Sequence, residues 1–257
     1  MKKRVADIVA DFLIEKGITD IFSLVGGGAM FLNDAFGHRD DLQVTYMQHE
    51  QSCSIAAEGY VRRCGKPAAV CVTTGPGGTN AITGVLGAYQ DNYPMIVISG
   101  QVRYPTTVDS VNLNLRFMGE QEHDIVTTVK NLTKYAVMVK RPENILYELE
   151  KSFYYADEGR PGPVWIDIPM DIQSINIDTD TLNHFSIPEH SDIFDKLLFL
   201  SVIKKAKRPV ILTGSALRST GYVDKFRQLS EKLCIPVVAA TYNGDLFTVD
   251  RSDRKST

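Results

Sequence analysis

Residues Cys71–Gly100 read CVTTGPGGTNAITGVLGAYQDNYPMIVISG. An apolar, β-branched run enters Gly75-Pro76-Gly77-Gly78, a helix-like segment follows, and a second apolar run ends at Ile98. Strand, glycine turn, helix and strand in that order make one βαβ unit. Glycines in such a turn let something approach the backbone closely. The question is what approaches, and whether the chain can do chemistry on it.

The same alternation extends in both directions. Val5, Ile8, Val9, Phe12 and Leu13 fall at helical spacing, and Gly17 is a natural stop. Strands are expected at 20–25, 43–46, 68–73, 95–99, 135–139 and 163–168. Helices are expected at 29–36, 50–64, 77–88, 121–130 and 142–156, with a loop over 104–116. The strands are continuous apolar runs, the pattern of a parallel sheet buried on both faces. The fold class is therefore α/β, an open and mostly parallel sheet with helices on both faces. Polar residues without a period then mark a boundary, giving a first domain over 1–172 and a linker over 173–191. An incomplete second α/β domain follows over 192–257, with helices at 192–205 and 220–233 and strands at 209–213 and 236–240. Two such units are few for an independent open sheet.

Composition narrows the function classes. The chain has 257 residues, 44% hydrophobic and 23% charged, with a net charge of −3. A phosphate-binding surface needs clustered basic residues, so a nucleic-acid binder is not expected. No apolar run reaches membrane-spanning length. The first residues, MKKRVADIVADFLIEKG, carry Asp7, Asp11 and Glu15 inside an amphipathic pattern, unlike a signal-peptide core, and a cytoplasmic protein is expected. Cys53, Cys64, Cys71 and Cys234 show no C-x-x-C spacing and read as small buried hydrophobes, with no metal site.

The glycine loops fail the phosphate motifs. Gly75-Pro76-Gly77-Gly78-Thr79-Asn80 has Asn where the dinucleotide fingerprint needs its third Gly, and no acid follows the next strand. The run Gly59 to Lys66 has the wrong glycine spacing for a P-loop, and Pro67 stands where Ser or Thr would hold magnesium. Three loops nonetheless follow strands, at Gly26-Gly27-Gly28, at His49-Glu50 and at Gly75. In an open α/β sheet such loops converge on one crevice. Glu50 begins a helix there, a position that also suits an acid complementing the helix dipole. His49 is either a proton shuttle or a polar flank.

MQHEQSCSIAAEGYVR, followed by VCVTTGPGGTNAITGVLGAYQDNYPMIVISGQV, resembles the pyrimidine-binding domain of thiamine-diphosphate-dependent enzymes, the acetolactate synthase group above all. IFSLVGGGAMFLNDAF, GEQEHDIV and RPGPVWIDIPMDIQ extend the likeness over about residues 3–172, and more loosely to about 245. The resemblance implies a catalytic Glu50 that hydrogen-bonds a ring nitrogen of the cofactor's aminopyrimidine and so helps remove the thiazolium proton. It implies that Thr73, Thr74, Pro76 and Asn80 line the ring, with Gly77 allowing close approach. Gly26 and Gly27 would face the cofactor from a partner subunit, in a homodimer or tetramer with sites at the interface. Gln121 would project toward cofactor and substrate, a 2-keto acid. Magnesium would bridge to the diphosphate through a G-D-G and Asn in a separate domain.

Three departures fall around the substrate. Leu24-Val25 stands where the group has Tyr-Pro, Glu120 where a phenylalanine shapes the pocket, and Met170 where it has lysine. A larger or more polar keto substrate is the reading these changes suggest. Asn243-Gly244-Asp245-Leu246 lacks the second Gly of a diphosphate motif and reads as a turn. The expectation is thus the N-terminal part of a carboligase or decarboxylase, inactive without a diphosphate-binding domain. The alternatives are a pyrimidine-domain subunit of a two-chain decarboxylase and a non-catalytic effector-binding module.

Overall fold

Apolar runs at Ala68–Val72, Met95–Gln101 and Pro163–Pro169 form the buried centre of the sheet, every residue of all three strands being inaccessible. The computed structural model describes residues 1–111, 113–189, 194–214, 217, 221–240 and 255–256. They fall into two compact units, Met1–Ile187 and Pro188–Thr257.

The first unit runs β1 (Lys2–Arg4), α1 (Val5–Glu15), β2 (Asp20–Ser23), α2 (Met30–Gly37), β3 (Gln43–Tyr46), α3 (Glu50–Cys64), β4 (Ala68–Val72) and α4 (Pro76–Asp91). It continues β5 (Met95–Gln101), α5 (Ile125–Val129), β6 (Tyr135–Met138), α6 (Ile145–Asp157), β7 (Pro163–Pro169), α7 (Met170–Ser174) and β8 (Asn176–Asp178). Six strands pair in the order β3-β2-β4-β5-β7-β6, all parallel. The expected α/β class holds.

Alternate residues of the central strands feed two cores. Ala69, Cys71, Ile96, Ile98, Val164 and Ile166 pack with apolar residues of α1, α2 and α6. Ala68, Val70, Met95, Val97 and Trp165 pack with those of α3, α4 and α5. Period-two alternation inside a wholly apolar run is what a sheet covered on both faces requires. The chain leaves β2 toward one face and β4 toward the other. The crevice between their carboxyl ends is therefore a topological switch point, where open sheets bind ligands.

Several details differ from the sequence reading. The expected helix over 121–130 is only Ile125–Val129, started by Asp124, whose carboxylate accepts from Thr127 N at 3.0 Å. The segment 173–187, expected as linker, lies within the first unit. Its strand β8 pairs antiparallel with β1, and Phe185 packs on Tyr147 and Tyr154. These three-residue strands are mostly polar and 170 or so positions apart, so no local period announces them. Among the described residues of the second unit, the first α-helix starts at Lys196, with Asp195 capping Leu198 N.

The second unit contains α8 (Lys196–Lys205), β9 (Ile211–Thr213), a helix Val223–Leu233, β10 (Val237–Ala239) and β11 (Lys255–Ser256). Among the described residues, three of its strands are parallel in the order β11-β10-β9, around a small core at Val237. Asn243 to Leu246 lie outside the described residues. No helix among those described is long and apolar enough to cross a membrane. Cys53 and Cys71 are buried as expected, but Cys64 and Cys234 are exposed, and none forms a disulfide.

Candidate functional site

Glu50 is the first residue of α3 and is 9% exposed. Two apolar-helix neighbours explain its placement: Cys53 and Ala57 anchor the inner face of α3 in the core, which turns the first residue toward the crevice. Its Oε2 accepts a 3.0 Å hydrogen bond from Asn80 Nδ2 on α4. Among the described residues nothing donates to Oε1. His49 is the N-cap, its Nδ1 accepting from Gln51 N at 3.1 Å, which ties that ring to helix initiation.

Gly77 lets the backbone of α4 pack close beside Glu50 and Thr73. A Cβ there would stand 3.5 Å from Glu50 Oε1 and 2.7 Å from Thr73 Cγ2. Only glycine fits there: its backbone packs against Thr73 and lies beside the Glu50 carboxylate, with no room for a side chain. Pro76 opens α4 at its first position, where the lost N–H costs nothing. Gly75 is fixed by two demands. Its φ of 57° and ψ of −115° exclude side chains, and a Cβ would lie 2.1 Å from the carbonyl oxygen of Gln121.

On the other side of Thr73 lies an open cleft of about 750 Å³. Gly26, Gly27, Thr73, Thr74 and Gln121 line it, together with Arg103, Met118, Glu120 and Met170. Gly26 packs on Thr73 of its own chain, and Gly28 N donates to Thr73 Oγ1 at 3.0 Å. The glycine turn and the TGPG loop thus share one wall. Gln173, fully buried on α7, donates to the Gly28 carbonyl at 2.7 Å and holds the turn from behind.

The cleft rim is held by carboxylates. Glu122 accepts from Val108 N (2.6 Å), Met118 N (2.7 Å) and Gly119 N (3.0 Å), which fixes the loop presenting Gln121. Asp171 accepts from Tyr104 N at 2.9 Å. Beneath the TGPG loop, Asp167 on β7 is fully buried. It accepts from Ser99 Oγ at 2.5 Å and from Gln101 Nε2 at 3.0 Å. Burial raises its carboxyl from the ordinary 3.8 to about 7, against the two hydrogen bonds that lower it. Burial likewise lifts the Cys53 thiol to about 11, with the Glu50 charge adding to it, so this thiol is no nucleophile at neutral pH.

Residues 3–126 match the family described as thiamine pyrophosphate enzyme, N-terminal TPP binding domain. This part of the chain belongs to that family. The acetolactate synthase large subunit of Buchnera aphidicola is 34% identical over 242 residues, covering 91% of this chain and 41% of that protein. That of Lactococcus lactis is 35% identical over 239 residues, covering 91% and 40%. The mitochondrial acetolactate synthase catalytic subunit of Saccharomyces cerevisiae is 31% identical over 262 residues, covering 97% and 37%. The chain spans about two fifths of the length of these curated relatives.

Within this TPP-binding domain the structure brings Glu50, Asn80 and Gly77 together. It gathers Gly26, Gly27, Thr73, Thr74 and Gln121 around the adjoining cleft, with Thr73 common to both. Pro76 is exposed and serves the helix start. Sequence reasoning missed Asp167, Gln101, Glu122 and Gln173. Each acts through a contact set by the tertiary fold or by loop closure, and only the isolated acid within the apolar run PVWIDIP offered a signal. Among the described residues no cluster of three or more His, Cys, Asp or Glu side chains is placed to hold a metal ion.

Proposed function

We propose that this chain supplies the pyrimidine-binding half of a thiamine diphosphate site in an acetolactate-synthase-like enzyme acting on 2-keto acids. The observation that carries the reading is the Glu50 carboxylate at the start of α3, one oxygen held by Asn80 and the other without a donor among the described residues. The bound cofactor would supply an electron sink for breaking or making a bond next to a keto carbonyl. Glu50 Oε1 is the atom that holds or moves a proton at the ring nitrogen. Asn80 stops the carboxylate from rotating away. Thr73 and the Gly77 backbone would form a wall for the ring, with Gly26 and Gly27 continuing that wall from the same chain.

Gln121 reaches the cleft from a loop stapled by Glu122, a suitable place for a residue that orients substrate. Arg103 and Glu120 bring charges of both signs into the cleft lining. They support a polar keto acid as substrate. The diphosphate and its magnesium would be held by residues other than those described, in a further domain or partner chain. Assembly with a second copy is part of the same proposal, supported by exposed Ile55 on α3 and Tyr89 on α4, the helices that carry Glu50 and Asn80.

The test is Glu50→Gln in the enzyme assembled with its diphosphate-binding part. Turnover should fall by at least about 10²-fold, the usual range for losing a positioned acid or base, while the folded state is retained. Undiminished turnover would overturn the assignment.

A further inference from the structure

With Asp167 ionised, donor and acceptor bookkeeping under the TGPG loop has one solution. Trp165 Nε1 can only donate, and it does so to Ser99 Oγ at 2.7 Å. Ser99 therefore turns its own proton to Asp167 Oδ1. Gln101 Nε2 faces two acceptors, Asp167 Oδ2 and the His123 carbonyl, both at 3.0 Å. Its Oε1 faces the Val102 N–H at 3.0 Å. That pattern fixes which end of the amide is oxygen. Thr74 Oγ1 also contacts Gln101 Oε1, and an amide oxygen has no proton to give. The Thr74 hydroxyl must donate to it, leaving only lone pairs for the cleft that Thr74 lines.

We infer that Asp167 is a positioning residue: through Gln101 it orients the Thr74 hydroxyl as a hydrogen-bond acceptor toward the cleft and holds the start of the TGPG loop. The links from Asp167 to Ser99 and Gln101 are side-chain contacts between the paired strands β7 and β5, with Ser99 opposite Asp167, and the last link passes from Gln101 to the loop residue Thr74. A donor on a cleft ligand, such as an exocyclic amine, is what Thr74 would then accept from; that role rests on the thiamine diphosphate reading, the orientation itself does not.

The chain of bonds also makes the loop responsive to protonation. A proton on Asp167 weakens Oδ2 as an acceptor, loosens the Gln101 amide, and is felt at Thr74. Asp124, ahead of α5, is the charged group that acts on Asp167, pushing its carboxyl further up. His123 lends its backbone carbonyl and turns Nε2 to Thr128 Oγ1 at 2.8 Å. Strand β5 and the first turn of α4 bring no ionisable side chain, and Lys140 beyond β6 is paired with Asp109.

The experiment follows the backbone amides of Thr74 and Gly75 and the Asp167 carboxyl carbon by NMR between about pH 5 and about pH 9, in this chain without cofactor. In the wild type the three signals should share one midpoint. Ser99→Ala removes a donor from Asp167 without touching Thr74, so it should move all midpoints upward together. Asp167→Asn sets a donor against one of its two donors and should abolish the loop titration. Loop amides that do not titrate, or whose midpoint stays while that of Asp167 moves in Ser99→Ala, would overturn the inference. Should Asp167→Asn fail to fold, the wild type and Ser99→Ala still decide. No cofactor is present, so this outcome is separate from failure of the thiamine diphosphate reading, which Glu50→Gln turnover reports.

Discussion

Two carboxylates lie at the carboxyl edge of the same sheet and are held in opposite ways. Glu50 sits at a helix start with one oxygen bonded and one open. Asp167 sits inside the sheet with both oxygens bonded, no exposure and a carboxyl raised to about 7. The first is arranged to meet a ligand. The second is arranged to hold the wall that the ligand meets. A strongly perturbed acid is commonly read as a catalytic one; here the perturbation marks the residue beneath the site.

Gly75 joins the two regions, since Thr74 belongs to the Asp167 chain of bonds and Gly77 packs beside Glu50. Gly75→Ala should therefore have the largest effect, a loss of roughly 4 kcal/mol or more from backbone strain and the clash with Gln121. Urea unfolding measures it. A loss below about 1 kcal/mol would mean that the joint is not constrained.

The pH dependence of stability separates the two acids next. Asp167 titrates near 3.8 when unfolded and near 7 when folded. Between those values the folded state keeps a proton that the unfolded chain has released. Its contribution is complete below the lower value and is lost as pH rises through the upper one, at up to roughly 1.4 kcal/mol per pH unit. Asp167→Asn should remove that slope and Glu50→Gln should not. Equal slopes in both variants would erase the contrast.

Smaller effects sharpen it. Asn80→Ala deletes the bond to Glu50 Oε2 and should cost about 1 kcal/mol of stability, with a larger loss in turnover because the carboxylate can then rotate. His49→Ala removes a cap and should cost less than about 1 kcal/mol while leaving turnover of the assembled enzyme near wild type. A large turnover loss there would restore His49 as a proton shuttle.

The legible part of the molecule is the part whose information is local. Apolar runs such as Ala68–Val72 and Pro163–Pro169 announced buried parallel strands, and the strand-turn-helix order set the crevice. Glu50 could be read because its acid, its helix and the TGPG loop are contiguous motifs. Asp167 could not be assigned a role that way. Its partners Ser99 and Gln101 lie 68 and 66 positions away, and the β5–β7 pairing that joins them passes over β6 in sequence. The β1–β8 ladder was illegible for the same reason, being short, polar and closed only by the whole fold.

The central claim is that Glu50 meets a pyrimidine ring nitrogen while Asn80 holds it in place. The direct measurement is the side-chain amide signal of Asn80 during titration with thiamine diphosphate and magnesium, the chain being supplied with a diphosphate-binding domain. A saturable shift is expected in the wild type, and it should disappear in Glu50→Gln. An Asn80 signal that stays in place at saturating cofactor would contradict the central claim.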